Sequence, residues 1–449
     1  MTEQLKLKLN DSKATRWGAL VIVAFTMMAA YYVNDVVAPL KTMLETDLAW
    51  SSTDFGFFTG GYSFLNVFFL MLIWGGLILD RFGIRFTGKL ATILMVGGTA
   101  LEYYAMTGLA GADATLFGIN EILGYKTGVF VAFAGYSIFG VGAEVAGITV
   151  SKIIAKWFKG KELATAMGVQ VALARIGSQA GYAVAIPLAR AFGISTPVLL
   201  GLVLLLGGMI AFFIFAVMDK KLDKQMEAAA IAAGTEDEEE KFSFKDVKNI
   251  LVNPGFWLIA LLCVLFYSCV FPFQKFASEL MIIKYGINEN VAGTFAGLPA
   301  LGALILTPVF GGFIDKRGKS ASIMLLGSAM LICVHFIYAI PDINYWLVAI
   351  VLMIILGIAF SLVPSAMWPA VAKIFPVSQL GTAYALIFFI QNIGLWGIPT
   401  LIGWVLDAYC ISGKKPDGTN MYDYTVPMCI FTGIACLSLI VALLLKKAD

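Results

Sequence analysis

The chain has 449 residues, of which 60% are hydrophobic and only 13% are charged. Because soluble globular proteins contain about 25% charged residues, this composition excludes that class. The formal net charge is +2, and no basic stripe is interleaved with aromatic residues, so a nucleic-acid partner is not expected. The composition predicts a protein whose main partner is a lipid bilayer.

Apolar blocks of about 20 residues recur along the chain, and each is long enough to cross a hydrocarbon core of roughly 30 Å as a helix. Helices suit this environment because they satisfy their own backbone hydrogen bonds. We predict an all-α integral membrane protein with twelve transmembrane helices in two pseudo-symmetric six-helix bundles. The predicted spans are residues 17–40, 55–79, 87–107, 127–150, 162–188, 196–218, 254–277, 290–314, 320–340, 345–371, 380–406 and 424–445.

A polar stretch with an acidic run from Gly234 to Lys241 separates the sixth and seventh predicted spans. It divides the chain into an N-terminal bundle (1–218), a cytoplasmic linker (219–249) and a C-terminal bundle (250–449). Most of the 31 lysines and arginines fall in alternate loops, on the side of the two termini. Cytoplasmic loops carry an excess of positive charge, so both termini are expected in the cytoplasm.

A charged motif follows the second span and recurs after the eighth, at the equivalent place in each half. In both copies a glycine stands four residues before an aspartate, and basic residues surround a second glycine. The motif resembles the cytoplasmic loop signature of the major facilitator superfamily, where this loop latches one conformation of a twelve-helix transporter. The alternative is that the charges only set the topology. The expected latch residues are Gly76, Asp80, Arg81, Gly83, Arg85, Asp315 and Arg317.

Ionisable residues are costly inside a membrane and are functional candidates by default. Glu144 in the fourth span and Arg175 in the fifth lie deepest, at predicted depths that differ by about 10 Å at a rise of 1.5 Å per residue. A buried arginine needs an anion. Either the two side chains neutralise each other, or a zwitterionic ligand lies between them. In the second case Arg175 holds a carboxylate with its planar fork and Glu144 holds an ammonium group.

Several other polar residues in the spans are weaker candidates. Asp35, toward the outer end of the first span, is a candidate for substrate or proton binding, or for an interfacial helix cap. Glu102 and His335 are candidates for proton coupling, since histidine titrates near neutral pH. The simpler alternative is an interfacial helix cap for Glu102 and a helix-packing role for His335. Aromatic and amide contacts from the C-terminal half are expected from Trp368, Gln391 and Asn392.

Further stretches resemble the lysosomal dipeptide transporters of this superfamily, the major facilitator superfamily domain-containing protein 1 family. The resemblance implies dipeptide transport by a monomer, with Glu144 on the peptide amine and Arg175 on its carboxylate. The acidic linker and short N-terminal segment look bacterial, which implies a bacterial inner (cytoplasmic) membrane location and leaves proton coupling open. The matching stretches are Trp157–Leu163, Ala174–Ser178, Phe271–Phe273, Ala366–Pro369, Leu380–Tyr384 and Ile390–Gly394.

Two alternatives to dipeptide transport stay open. A carrier of another solute, such as a sugar, an organic anion or a drug, would share the fold; an organic-anion carrier would need more cations in the cavity than Arg175. A non-transporting membrane sensor would need no charged pair at all. An enzyme is disfavoured because the sequence has a single histidine, no nucleophile–base set and no metal-ligand cluster, so neither a cofactor nor a metal is expected.

Overall fold

The structure is a computed structural model that describes residues 8–111, 114–233, 244–317, 319–375 and 377–448. Most of the described chain is helical, as long apolar segments require in a membrane. The helices are α1 (Lys13–Val36), α2 (Lys41–Asp47), α3 (Ser52–Phe68), α4 (Met71–Thr107), α5 (Thr127–Trp157), α6 (Leu163–Phe192), α7 (Thr196–Ala233), α8 (Phe244–Val252), α9 (Pro254–Tyr285), α10 (Glu289–Ala296), α11 (Leu298–Arg317), α12 (Ser320–Ala339), α13 (Trp346–Ile374), α14 (Val377–Tyr409) and α15 (Thr425–Ala448).

Two short antiparallel hairpins interrupt the helices and were not predicted. The first pairs β1 (Glu121–Ile122) with β2 (Tyr125–Lys126), and the second pairs β3 (Ile411–Lys414) with β4 (Asn420–Tyr422). Both lie in connections between long helices. They close these connections and leave the helical architecture unchanged.

Within the described residues, nine helical segments are long and apolar enough to cross a membrane, and the bent pair α3–α4 is a tenth candidate. The pair bends by 58°. The described helices give twelve spans when two are added to these ten: the part of α4 after Gly83, which is span three, and the less apolar α6, which is span five. The break predicted between spans two and three is present, because Gly83 has non-helical geometry (φ 73°, ψ 175°) and divides α4 into two helices at a kink. The connection is a kink at one glycine, shorter than the loop of residues 80–86 that the predicted spans imply.

The helices form an N-terminal half (α1–α7) and a C-terminal half (α8–α15). Helix α4 packs on α5 and α1 on α6 in the first half; α12 packs on α15 and α11 on α13 in the second. We call the end where α1 begins and α15 ends the termini side, and the other end the far side. The halves meet mainly where α3 packs on α14 and α6 packs on α10 and α11.

Glycines bring α3 and α14 into close contact near the far side. A Cβ atom on Gly56 would lie 2.4 Å from the carbonyl oxygen of Pro399, and one on Gly403 would lie 2.3 Å from that of Ser52. Backbone atoms cannot shift to make room for an added Cβ atom, whereas the end of a long side chain can. The far side is therefore closed by a contact that tolerates no side chain at these positions.

We expect Gly56→Val to prevent this closure and to reduce transport strongly, because the added side chain would overlap the α14 backbone. The variant should reach the membrane, since the helix can form with the far side open. Gly97→Val is the matched control, because a Cβ there meets nothing within 4 Å. Uptake of the transported solute into proteoliposomes measures the effect. Equal uptake by both variants would contradict the role of the contact.

Candidate functional site

Arg175 lies near the middle of α6 and is partly buried. Its guanidinium carbon is 5.6 Å from the ring centre of Tyr31 on α1 and 4.9 Å from that of Phe360 on α13. One ring belongs to each half, so the side chain lies between the halves. Arg175 has no hydrogen bond or ion pair with any described residue. A guanidinium without a protein counter-ion in this setting is suited to bind an anion.

Glu144 lies on α5 and is also partly buried. One carboxylate oxygen accepts a hydrogen bond of 3.0 Å from the hydroxyl group of Tyr62 on α3. No described cation lies within 4.0 Å of the carboxylate. Tyr31 lies within electrostatic range of both Arg175 and Glu144. The N-terminal half therefore presents a cation and an anion to one shared region.

Arg175 and Glu144 do not form an ion pair, so the structure contradicts mutual neutralisation in this conformation. The predicted difference in depth is also wrong. Helix α5 continues to Trp157, seven residues past the predicted end of its span. Counted from Trp157 and from Leu163, the first residue of α6, both side chains lie roughly 20 Å from the termini-side ends of their helices.

An aromatic wall from the C-terminal half faces this region; we use the term for Tyr267, Phe271, Phe360 and Trp368. The rings of Phe271 and Phe360 are 5.3 Å apart, those of Tyr267 and Phe271 are 5.5 Å apart, and Trp368 Nε1 lies 3.4 Å from the Tyr267 hydroxyl. The wall carries no formal charge. It therefore complements the charged N-terminal side with a neutral, flat surface.

The two predicted amides lie on α14 behind this wall and are almost fully buried. Gln391 accepts a hydrogen bond from the thiol of Cys263 at 3.4 Å, and Asn392 donates one to the carbonyl of Phe388 at 2.9 Å. The side-chain oxygen of Asn392 has no partner among the described residues. The structure therefore places both amides inside the C-terminal half, next to the wall.

Asp35 is paired with a lysine and does not contact Arg175 or Glu144. Its carboxylate lies 3.1 Å from Nζ of Lys275 on α9 and accepts a hydrogen bond of 2.6 Å from the hydroxyl of Ser178. Lys275 is only 9% exposed. Lys275 is enclosed because the end of α9 that carries it packs against the other half.

The two candidates for proton coupling are completely buried. Neither carboxyl oxygen of Glu102 has a partner among the described residues. The ring of His335 packs against Phe273 and Phe431, and Nε2 lies 3.1 Å from the Cys269 carbonyl oxygen. These surroundings favour a packing role for His335.

Three buried charges and one partly buried charge join the halves at the far side, and sequence reasoning missed them. We call this set the far-side junction: Lys41, Glu45, Glu279 and Lys415. Lys41 lies 2.5 Å from both Glu45 and Glu279, while Lys415 lies 3.6 Å from Glu45 and 3.7 Å from Glu279. Tyr424 also donates a hydrogen bond to Glu279. Lys41 and Glu45 are four residues apart, a spacing that brings two side chains together on one helix face, so the sequence did indicate an ion pair between these two residues.

The described latch side chains form their ion pairs inside the N-terminal half. Asp80 lies 3.2 Å from Lys152, and Arg85 lies 2.9 Å from Asp223 on α7. Arg81 lies over the ring of Phe82. A Cβ on Gly76 would meet nothing within 4 Å, so Gly76 makes no close helix approach in this conformation. The side chains of Asp315 and Arg317 lie outside the described residues.

The close approach occurs one residue earlier, at Gly75. A Cβ on Gly75 would lie 2.4 Å from a methyl carbon of Val145 on α5. The motif therefore supplies a helix contact through the preceding glycine, while its charges line the termini side of the N-terminal half.

We expect Asp219→Ala to destabilise the protein and Asp80→Ala to have little effect. Asp219 is fully buried and accepts a hydrogen bond of 2.9 Å from the indole of Trp157. Leaving that buried donor unpaired costs about 1–3 kcal/mol, whereas a surface ion pair such as that of Asp80 contributes about 0–1 kcal/mol. Thermal unfolding in detergent compares the two variants. Equal losses of stability would contradict this ranking.

The model of the Major Facilitator Superfamily matches residues 20–399. The human lysosomal dipeptide transporter MFSD1 (Homo sapiens) is 29% identical over 409 residues, which cover 88% of this chain and 81% of that protein. The nucleoside transporter NupG, in the crystal structure of a point mutant, superimposes with a TM-score of 0.70 at 12% identity, over 95% of this chain and 98% of that one.

A third similar protein is a bacterial homologue of the human lysosomal transporter Spinster in an inward-facing and unoccupied conformation. It superimposes with a TM-score of 0.69 at 14% identity, over 97% of this chain and 98% of that one. At these identities the structural likenesses show the fold alone. The match to the family model over most of the chain shows that this protein is a member of the Major Facilitator Superfamily of membrane transporters.

Proposed function

We propose that this transporter carries dipeptides across the membrane by alternating access. The observation that carries the proposal is the pair of unpaired, opposite charges, Arg175 and Glu144, at similar depth between the halves. A dipeptide has a cation at one end and an anion at the other, and its extended chain spans roughly 7 Å. Arg175 would hold the carboxylate and Glu144 the ammonium group. The human relative MFSD1 is named as a lysosomal dipeptide transporter, and this supports the assignment.

The aromatic wall would receive the side chains of the peptide. Rings accept many side-chain shapes through dispersion contacts, whereas charged groups set strict demands on geometry and charge. The N-terminal half would then recognise the peptide termini, which all dipeptides share. Trp368, Gln391 and Asn392 belong to this second, more tolerant part of the site.

The contacts between the halves support an alternating-access cycle. Most of the inter-half hydrogen bonds and ion pairs between described residues involve the far-side ends of the helices, as in the pairs of Glu279 with Lys41 and of Glu289 with Arg190. The bound peptide would leave toward the termini side in this conformation. By the charge of the loops, that side would be the cytoplasm, and the membrane would be a bacterial inner membrane.

Ligand-dependent thermal stabilisation of the purified protein tests the proposal. A ligand that binds only the folded state raises the apparent melting temperature by mass action. We expect a rise with dipeptides such as alanyl-alanine and a smaller rise, or none, with single amino acids, tripeptides, nucleosides and sugars. A rise with nucleosides or sugars alone would keep the fold and overturn the substrate class.

A further inference from the structure

Lys275 reaches from the C-terminal half into a carboxylate pocket of the N-terminal half. Its Nζ donates a hydrogen bond of 2.6 Å to the backbone carbonyl of Asn34 and lies 3.1 Å from the Asp35 carboxylate. It also lies 3.4 Å from the hydroxyl of Tyr136 on α5. Helices α1 and α5 therefore enclose a cation that belongs to α9.

The pocket is built around Asp35 and would persist without the lysine. Asp35 is 7% exposed. It accepts hydrogen bonds of 2.6 Å from Ser178 and 2.9 Å from the Asn34 amide, which both belong to its own half. The titratable groups that face Asp35 or its lysine from the surrounding helices are Tyr31 on α1, Glu102 on α4, Tyr136 on α5, Tyr182 on α6 and Lys275 on α9. Among these groups, Lys275 is the cation.

Opening of the far side must separate Lys275 from Asp35, because the two residues belong to different halves. Asp35 then keeps its two hydrogen bonds but loses its counter-charge. A carboxylate without a cation is costly at this depth, and a bound proton would remove that charge. Closure of the far side would bring Lys275 back, and its charge would compete with the proton for the same oxygen atoms. Such competition makes proton binding depend on the conformation, as ion coupling requires.

We propose that Asp35 takes up a proton from the far side, that this proton travels with the peptide, and that Lys275 displaces it from Asp35 toward the termini side in the conformation described here. The inference rests on the proposed function, because it makes the peptide and the proton co-substrates. Sodium is the other monovalent cation that a carboxylate can bind, so the test below includes its replacement.

Asp35 fits this role better than the other buried carboxyl group. Glu102 is completely enclosed, and neither of its oxygens has a partner among the described residues. Among the described residues it has no hydrogen-bond donor to stabilise an ionised form and no ion pair with Lys275. Asp35 accepts hydrogen bonds that stabilise its ionised form, and its cation, Lys275, approaches when the far side closes and leaves when it opens.

Proteoliposomes that contain the full chain and an internal pH-sensitive dye test the proposal. Addition of external alanyl-alanine should acidify the interior of the liposomes. Replacement of sodium by choline in the buffer should leave the rate of acidification unchanged. In Asp35→Asn the acidification should fall to the rate of empty liposomes, while exchange of labelled alanyl-alanine continues, since exchange needs no net proton movement. Retained exchange also shows that the variant is folded. Asp47→Asn is the matched control, because Asp47 is an exposed carboxylate on α2, and it should acidify as the parent does.

Each other outcome has a definite meaning. Uptake of labelled peptide by the parent without acidification would overturn the proton site and leave dipeptide transport intact. Uptake that requires sodium would overturn the choice of ion. Loss of acidification in Glu102→Gln with its retention in Asp35→Asn would overturn the assignment to Asp35. Absence of labelled exchange in the parent would overturn the proposed function itself.

Discussion

Arg175→Ala should abolish both dipeptide transport and the dipeptide-dependent rise in melting temperature. The guanidinium is the proposed partner of the peptide carboxylate, and its loss would leave that carboxylate without a cation between the halves. Truncating one partner of a buried, hydrogen-bonded charge pair costs about 2–5 kcal/mol. This corresponds to a loss of affinity of roughly 30-fold to several thousand-fold, since 1.4 kcal/mol is a factor of ten. Titration of melting temperature against alanyl-alanine measures the loss directly.

Two companion variants separate charge from geometry. Arg175→Lys keeps the positive charge but loses the planar fork, so its affinity should fall between those of the parent and Arg175→Ala. Glu144→Gln keeps the size of the side chain and should lose binding of the peptide ammonium while the protein remains folded. Unchanged dipeptide binding in both Arg175→Ala and Glu144→Gln would contradict the proposed site. Elution of each variant as a single species in detergent would exclude a folding defect.

Lys41→Met should open the far side. Lys41 is 1% exposed and lies 2.5 Å from both Glu45 and Glu279, so its loss leaves two buried carboxylates with only the more distant Lys415. Breaking a buried pair in this way costs about 3–5 kcal/mol, and here the cost falls on the closed conformation alone. Such a change shifts the balance between conformations by about 100-fold or more.

A cysteine at Ser52 reports the opening. Ser52 is fully buried where α3 meets α14, so a membrane-impermeant thiol reagent should label Ser52→Cys faster in Lys41→Met than in the parent, in a background without the native cysteines. The double variant Lys41→Met/Glu279→Gln leaves one carboxylate and one lysine, and it should label more slowly than Lys41→Met alone. Lys414→Met is the exposed control and should label as the parent does. Equal labelling of Lys41→Met and the parent would show that the junction does not hold this end closed.

The fold and the central charges could be predicted because the membrane restricts what a sequence can contain. A charge within an apolar block has few explanations, so Glu144 and Arg175 were visible from position alone. Whether they pair with each other was not predictable. That depends on the packing of α5 against α6 and on the true end of α5, which extends seven residues past the apolar block.

The charges at the far side could not be assigned for a different reason. Lys275 and Glu279 lie near the end of a span, where water, lipid headgroups and protein are equally compatible with the sequence. Only the position of α1 and α2 relative to α9 shows that these residues are enclosed between the halves. The shortness of the connection at Gly83 was hidden as well, because a charged motif that follows an apolar block favours a longer loop, whereas the structure has a kink at a single glycine.

Three sets of charges at or near the boundary between the halves each sum to zero: Arg175 with Glu144, Asp35 with Lys275, and the four residues of the far-side junction. A zwitterionic dipeptide also has no net charge. Movement of the halves would then transfer no net charge through the membrane's electric field, in which each elementary charge is worth about 2.3 kcal/mol per 100 mV. Any electrical current that accompanies peptide uptake would be carried by the co-transported ion alone. The number of elementary charges moved per peptide would therefore equal the number of protons transported with it.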